Sequence, residues 1–173
     1  VSTRHFAAHR GQSSAAASVA ARWAARRISA QIAVSRFVAE RIEPPSTVVV
    51  SGVPHASEDS LGGPRSRRVL VAQRLEPEKR TADAVRCFAA SRLAVAGWSL
   101  DIAGEGRERV ALESLAAQLG IRDAVRFLGH RTDIEALMVG SAILLAPRPD
   151  EALGLTVLEA MSHGLPVIAA AGG

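Results

Sequence analysis

The sequence predicts an α/β fold: a parallel sheet with helices on both faces, preceded by part of a second α/β domain. Three observations carry this. From Arg68 onward, five short apolar runs (69–72, 99–103, 125–128, 142–146 and 166–170) alternate with four stretches of helical period. The runs are predominantly apolar, as in strands buried on both faces. The polar and glycine-bearing segments 73–79, 104–106, 129–132 and 147–151 each follow a run. They therefore gather at the carboxyl edge of the sheet, where open parallel sheets bind ligands.

Each element has its own signal. Residues 1–5 read as the end of a strand, with His5 at its C-terminal edge. Residues 11–28 are Ala-rich, with Arg on one side, and read as a helix. A strand is expected over 32–34, and Ser35 is placed to cap a short helix over 37–42. Pro44-Pro45 ends that helix, and the β-branched run 47–50 makes a strand closed by Ser51-Gly52. Residues 55–66 hold Ser, Asp, Gly-Gly and Pro without an apolar period, the composition of a linker. The expected division is thus 1–54 as the C-terminal part of a first domain, 55–67 as linker and 68–173 as a second domain. Within the second, helices are expected over 81–96, with Ala84, Val85, Phe88, Leu93 and Val95 inward, over 107–119 with Gly120 as its stop, from an Asp133 cap to 139, and over 155–163.

Composition sets bounds on function. Hydrophobic residues make up 48% of the 173-residue chain, enough for a substantial core. No 18-residue stretch is free of charge, so no membrane span is expected, and no signal peptide is read. The chain starts at Val1 rather than Met and stops at Gly173, so it is expected to be a fragment. The one cysteine, Cys87, excludes an internal disulfide, fits a reducing compartment and is expected to be buried. The net charge of +4 comes from twenty Arg and one Lys against 17 acids. That bias reads as genome composition. The basic residues are scattered and aromatics are only 3%, too few for base-stacking platforms, so nucleic acid is not an expected partner.

The chemistry concentrates in 150–173. Glu151 and Glu159 stand eight residues apart, one in a loop and one within a helix. An extended ligand of roughly 10 Å would be needed to touch both. The backbone N–H groups of Gly154, Leu155 and Thr156 would point out of the helix start, where phosphate is favoured. Arg74 and Lys79 share a strand-to-helix loop, where side-chain cations suit a diphosphate. No Asp-x-Asp pair stands ready to hold a metal on a nucleotide, so no metal and no cofactor is expected. Gly104-Glu105-Gly106 lacks the third glycine of a dinucleotide fingerprint, Arg109 standing in its place. NAD binding is therefore rejected and Gly104 is kept as a close-approach turn. His5 and His9 make no zinc pair, His5 remaining a candidate sugar or acceptor contact. His130 and His163 read as surface or cap residues. No Gly-x-Ser-x-Gly elbow supports hydrolase chemistry.

These residues resemble a known family. The stretch from Glu151 to Glu159, followed by Ala-Met-Ser-His-Gly-Leu-Pro-Val and Gly172-Gly173, resembles the E-x7-E signature of retaining glycosyltransferases of family 4, which have the GT-B fold with its Rossmann-like domains. Segments 69–79, 100–106, 125–129, 32–38, 48–54 and 1–5 resemble further motifs of that family. Gln73 stands where the family often has Gly, and Ser51 where it often has Asn.

The resemblance implies roles. Arg74 and Lys79 would bind the donor diphosphate. Glu151 would hold the hydroxyls of the transferred sugar and Glu159 the ribose. The 154–156 backbone would meet phosphate, Gly129, His130 and Arg131 would lie beside the base, and His5 would face the sugar from the other domain. The expected activity is transfer of a hexose from a nucleotide-diphosphate sugar to a sugar, lipid or small-molecule acceptor. The alternatives are a donor-binding module without catalysis and a nucleotide-sugar epimerase on the same fold. The fragment alone is expected to be inactive. A cytoplasmic location is expected, with Arg22, Trp23, Arg26 and Arg27 as a weak peripheral contact to the inner face of the plasma membrane.

Overall fold

The computed structural model describes residues 2–4, 19, 23, 27–42, 45–54 and 63–172. Two compact units result: one takes the described residues up to Gly52 together with Asp150–Gly154, the other Val53–Pro149 and Leu155–Gly172.

The first unit holds a three-stranded parallel sheet, β1 (Ser2–Arg4), β2 (Gln31–Ala33) and β3 (Thr47–Val48), in that order. Helix α1 (Arg36–Ala39) is shorter than expected and starts a residue earlier. The Ser35 hydroxyl caps it, accepting from the Val38 N–H at 3.2 Å, and also donates to the Ala152 carbonyl. Ala33, Val34, Val38 and Ile42 form a small core, against which Phe37, Ala152 and Leu153 pack. Segment 150–154 is therefore built into this unit. The third strand stops at Val48, although the Val49 N–H still donates to Ala33 O at 2.9 Å. His5 lies outside the described residues. Of the expected 11–28 helix, the described Val19 and Trp23 are helical, whereas Arg27 and Ile28 are not, Arg27 standing in a turn with its guanidinium 4.2 Å from the Trp23 ring centroid.

The second unit is an open parallel sheet. Its elements are β4 (Arg68–Ala72), α2 (Thr81–Ala90), β5 (Ser99–Ala103), α3 (Arg109–Gln118), β6 (Val125–Gly129), α4 (Ile134–Gly140), β7 (Ile143–Ala146), α5 (Leu155–Ser162) and β8 (Val167–Ala169). The strand order is β6-β5-β4-β7-β8, so the first strand is central. Alternation along the strands divides the core. Val69, Val71, Leu100 and Ile102 face α2 and α3 and pack with Val85, Phe88 and Leu112. Leu70, Ala103 and Leu144 face α4 and α5 and pack with Leu137, Met138 and Ala160.

Several boundaries differ from the sequence expectation. Helix α2 ends at Ala90, not 96, and a string of turns follows in which Arg92 takes φ of 59° and Gly97 of 76°. Val95, expected inward, is 85% exposed. Cys87, expected buried, is exposed: the helical period puts Ala84, Val85 and Phe88 on the sheet side and turns positions 86 and 87 to solvent. Asp133 precedes α4 but makes no side-chain cap. Arg65 and Ser66, expected as linker, are fastened to the second unit. The Arg65 guanidinium donates to Met138 O (3.2 Å), Ser141 O (3.0 Å) and His163 O (2.9 Å). It satisfies carbonyls at the C-terminal ends of two helices, where a cation is favoured.

One charge cluster built on a buried carboxylate has no counterpart in the sequence reading. Asp101, in mid-strand on β5, is 1% exposed. Its β6 neighbour Arg126 grips it with two bonds, Nε at 2.7 Å and Nη2 at 2.8 Å. Arg68 of β4 adds an ion pair, Nε to Oδ2 at 3.2 Å, whose angle is not that of a hydrogen bond.

Candidate functional site

The order of strand addition reverses beside β4: β5 lies on one side and β7 on the other, all strands remaining parallel. Such a switch point opens a crevice at the carboxyl ends of the strands. A cavity of about 500 Å³ occupies that edge. Its walls are Ala72, Gln73 and Arg74 after β4, Ala103, Gly104 and Glu105 after β5, His130 and Arg131 after β6, Ile134 of α4, and Thr156 and Glu159 of α5.

The loops around it are laced together through backbone. The Gln73 N–H donates to Ala103 O (3.0 Å), Leu75 N–H to Glu105 O (2.8 Å), Glu108 N–H to Leu75 O (3.0 Å) and Gly104 N–H to Gly129 O (2.8 Å). Gly104 has φ of 145°, and a Cβ there would lie 1.9 Å from Gln73 O. A Cβ on Gly106 would lie 2.3 Å from Leu75 O. Both glycines are thus required by approach of a neighbouring backbone, which bears out the close-approach reading of Gly104.

The side chains are distributed as follows. Arg74 is exposed and carries an ion pair to Glu78 at 3.2 Å. Lys79 closes a 3-10 turn (Pro77–Lys79), is half-buried and lies outside the cavity wall. Arg131 makes a two-point contact with Asp133, at 2.8 and 2.5 Å. The guanidinium hydrogen bonds hold the Asp133 carboxyl below the usual carboxylate range, and the carboxylate raises Arg131 in turn. This explains why Asp133 does not cap α4. Gly129 adopts φ of 68° at the end of β6, beside Glu105. The His130 N–H donates to Glu105 Oε1 at 3.4 Å.

Glu159 reaches the cavity from the second turn of α5, and Thr156 from the first. Beneath them, His163 is buried, not at the surface. Its Nδ1 lies 2.8 Å from Glu159 O and its Nε2 3.0 Å from Glu135 Oε1 on α4. The Glu159 carbonyl first, and Glu135 second, raise its pKa above the ordinary value.

Six expected site residues therefore share one cavity: Arg74, Gly104, His130, Arg131, Thr156 and Glu159. Leu155 starts α5 and Gly154, with φ of 70°, precedes it. Glu151 is half-buried in the 150–154 segment of the first unit. Gln73, Glu105 and Ile134 were not among the expected residues. Their only sequence signal was adjacency: each follows, or lies within, a strand-end loop already singled out.

An open parallel sheet with arginines and a helix start gathered at its switch point is an α/β arrangement that favours an anionic ligand. The chain belongs to the family described as glycosyl transferases group 1, which matches residues 57–173. It is 33% identical over 129 residues to a glycogen synthase of Mycobacterium tuberculosis, covering 70% of this chain and 31% of that one. It is 40% identical over 72 residues to the lipopolysaccharide glucosyltransferase WaaG of Escherichia coli, covering 42% of this chain and 19% of that one. A crystal structure of HepE from Anabaena, in complex with UDP and glucose, matches with a TM-score of 0.70 at 26% identity, over 90% of this chain and 48% of that one. The chain thus spans less than a third of the length of these two curated relatives. The α/β fold is that of GT-B glycosyltransferases.

Proposed function

We propose that the protein transfers a hexose from a nucleotide-diphosphate sugar to a sugar, lipid or small-molecule acceptor, with retention of anomeric configuration, as a family 4 glycosyltransferase. The observation that carries this is the convergence of Arg74, the start of α5 at Thr156, and Glu159 in one cavity at the switch point. Membership of the glycosyl transferases group 1 family supports it. UDP is the nucleotide favoured, because HepE binds UDP and glucose.

In this reading the leaving diphosphate is the chemical problem. Breaking the bond from the anomeric carbon to the phosphate oxygen places a full charge on the departing group. Preorganised donors are most effective where charge develops. Arg74 and Lys79 supply positive charge from one loop, and the first-turn N–H groups of α5 supply dipoles from another element. Side chains fill that role here without a metal ion. Glu159 accepts hydrogen bonds from the ribose hydroxyls, and Glu151 and His5 position the sugar. His130 and Arg131 lie beside the base. The reaction is placed in the cytoplasm.

The test uses the full-length protein, with calorimetry against UDP-, GDP- and ADP-sugars and a turnover assay. Lys79→Ala and Glu151→Ala are expected to lower transfer by about 10²–10³-fold. Wild-type turnover in either variant would sink the site assignment. Donor binding without any turnover in the unaltered protein would support a binding module instead.

A further inference from the structure

Gln73 is the first residue after β4 and forms part of the cavity wall. Its side chain does something that neither charge nor burial explains. The amide Nε2 lies 2.9 Å from Lys79 O and 3.0 Å from Thr81 Oγ1. A carbonyl has no proton to give, so the nitrogen must be the atom facing it. One side chain therefore spans the neck of a loop whose interior carries Arg74 and Lys79.

The loop needs such a brace. Its only regular structure is a three-residue 3-10 turn, closed by Lys79 N–H to Glu76 O at 2.9 Å and Arg80 N–H to Pro77 O at 3.1 Å. Short 3-10 turns have poor hydrogen-bond geometry. Arg80 then adopts φ of 55°, a left-handed conformation unfavourable to a side-chain-bearing residue. The amide of Gln73 joins the residues on either side of Arg80. At the other end, Gln73 is itself anchored. Its N–H donates to Ala103 O at 3.0 Å. Its carbonyl is packed so closely against Gly104 that no Cβ fits there. Thr81 is fully buried as the first residue of α2. The brace thus runs between two fixed points, and the loop between them is held at its far end through Lys79.

We propose that Gln73 is a positioning residue for the diphosphate-binding loop: its amide fixes the main chain at Lys79 and so sets where the Lys79 ammonium meets the donor. This rests on the donor-binding reading given above.

The test compares the full-length protein with Gln73→Met, which keeps length and volume but has no donor. Amide hydrogen exchange across residues 75–80 is expected to quicken by tenfold or more, and the Kd for UDP to rise about tenfold. The Kd for uridine, which lacks phosphates, is expected to stay unchanged. In a Lys79→Ala background, Gln73→Met is expected to add no further loss of UDP affinity. Equal weakening of uridine and UDP would overturn the proposal, because it would mark a general packing role. Unchanged exchange with unchanged UDP affinity would overturn it too. If the unaltered protein binds no UDP or UDP-sugar, the donor reading fails by itself, and loop exchange in Gln73→Met still decides whether the brace exists.

Discussion

Arg74 is exposed and already partnered. Its guanidinium pairs with Glu78 four residues on, at 3.2 Å, with the two side chains 65% and 46% exposed. An exposed pair of this kind contributes roughly 0.2–1 kcal/mol. On the donor-binding proposal, an incoming diphosphate would displace Glu78 and offset that amount. Glu78→Gln should therefore tighten UDP binding about two- to threefold at low salt, with the gain shrinking at high salt as both interactions are screened. Calorimetry at two ionic strengths measures it, and equal affinities at low salt would show that Glu78 does not compete. Residues of this type were legible from sequence. Two cations five apart in a strand-to-helix loop announce themselves, whereas Gln73 is uncharged and its role depends on partners six and eight residues along. Cys87 shows the reverse error. A small apolar residue was assigned to the core by type, while the helix phase turned it to solvent.

At the scale of elements, α4 and α5 are joined by one imidazole. Nδ1 faces the Glu159 carbonyl, and Nε2 lies 3.0 Å from the Glu135 carboxylate as an ion pair without hydrogen-bond angle, a pair that is charged only when the ring is protonated. The Arg65 guanidinium, bonded to the His163 carbonyl at 2.9 Å, is the cation facing the same region. Since the folded-state pKa is raised, the clasp stabilises fully below the ordinary histidine value of about 6.5. It is lost as pH rises through the higher folded value. His163→Asn keeps a donor near the Nδ1 position and loses Glu135. The melting-temperature gap between wild type and His163→Asn should be larger at pH 5.5 than at pH 8.5. A gap independent of pH would leave His163 as packing alone. The existence and order of the helices in the second unit could be read from period and punctuation. Their ends could not. Nothing in the sequence of 91–96 stops a helix, and it is Arg92 at positive φ that does so. Asp133 preceded an apolar run like a cap, but Arg131, two residues before, took its carboxylate.

At the scale of the whole molecule, the parallel sheet was legible from predominantly apolar runs, and the carboxyl edge from the loops that follow them. Strand order and charge burial were not, because both depend on which strands become neighbours. Asp101 and Arg126 are 25 residues apart and meet only because β5 and β6 pair in that register. The Arg126 side chain is itself half exposed, but removing it leaves the buried Asp101 carboxylate less compensated. Arg126→Ala should cost about 2–3 kcal/mol in denaturant unfolding, Arg68 retaining part of the partnership, while UDP affinity stays unchanged because the residue does not line the cavity. Glu151 and Glu159 mark the other limit. Eight residues apart in sequence, they are divided between the two compact units. The Ser35 and Val38 contacts of the first unit hold segment 150–154 in its core.

The central place of β4 has a consequence for how the second unit comes into being. On a ribosome the chain emerges from its N-terminus, and structure can form as segments become available. Residues 68–127 contain β4, α2, β5, α3 and most of β6, and they supply every buried member of the core on the α2–α3 side. That half-sheet can collapse while β7 is still unmade. The opposite core draws on Leu137, Met138, Leu144, Ala160 and Leu165, and so must wait. The cavity needs both halves, because Glu159 and Thr156 arrive last. A nascent chain stalled after β6 would hold a packed half-sheet with Arg74 in place and one apolar sheet face open to water, the state in which a chaperone would find the most to bind.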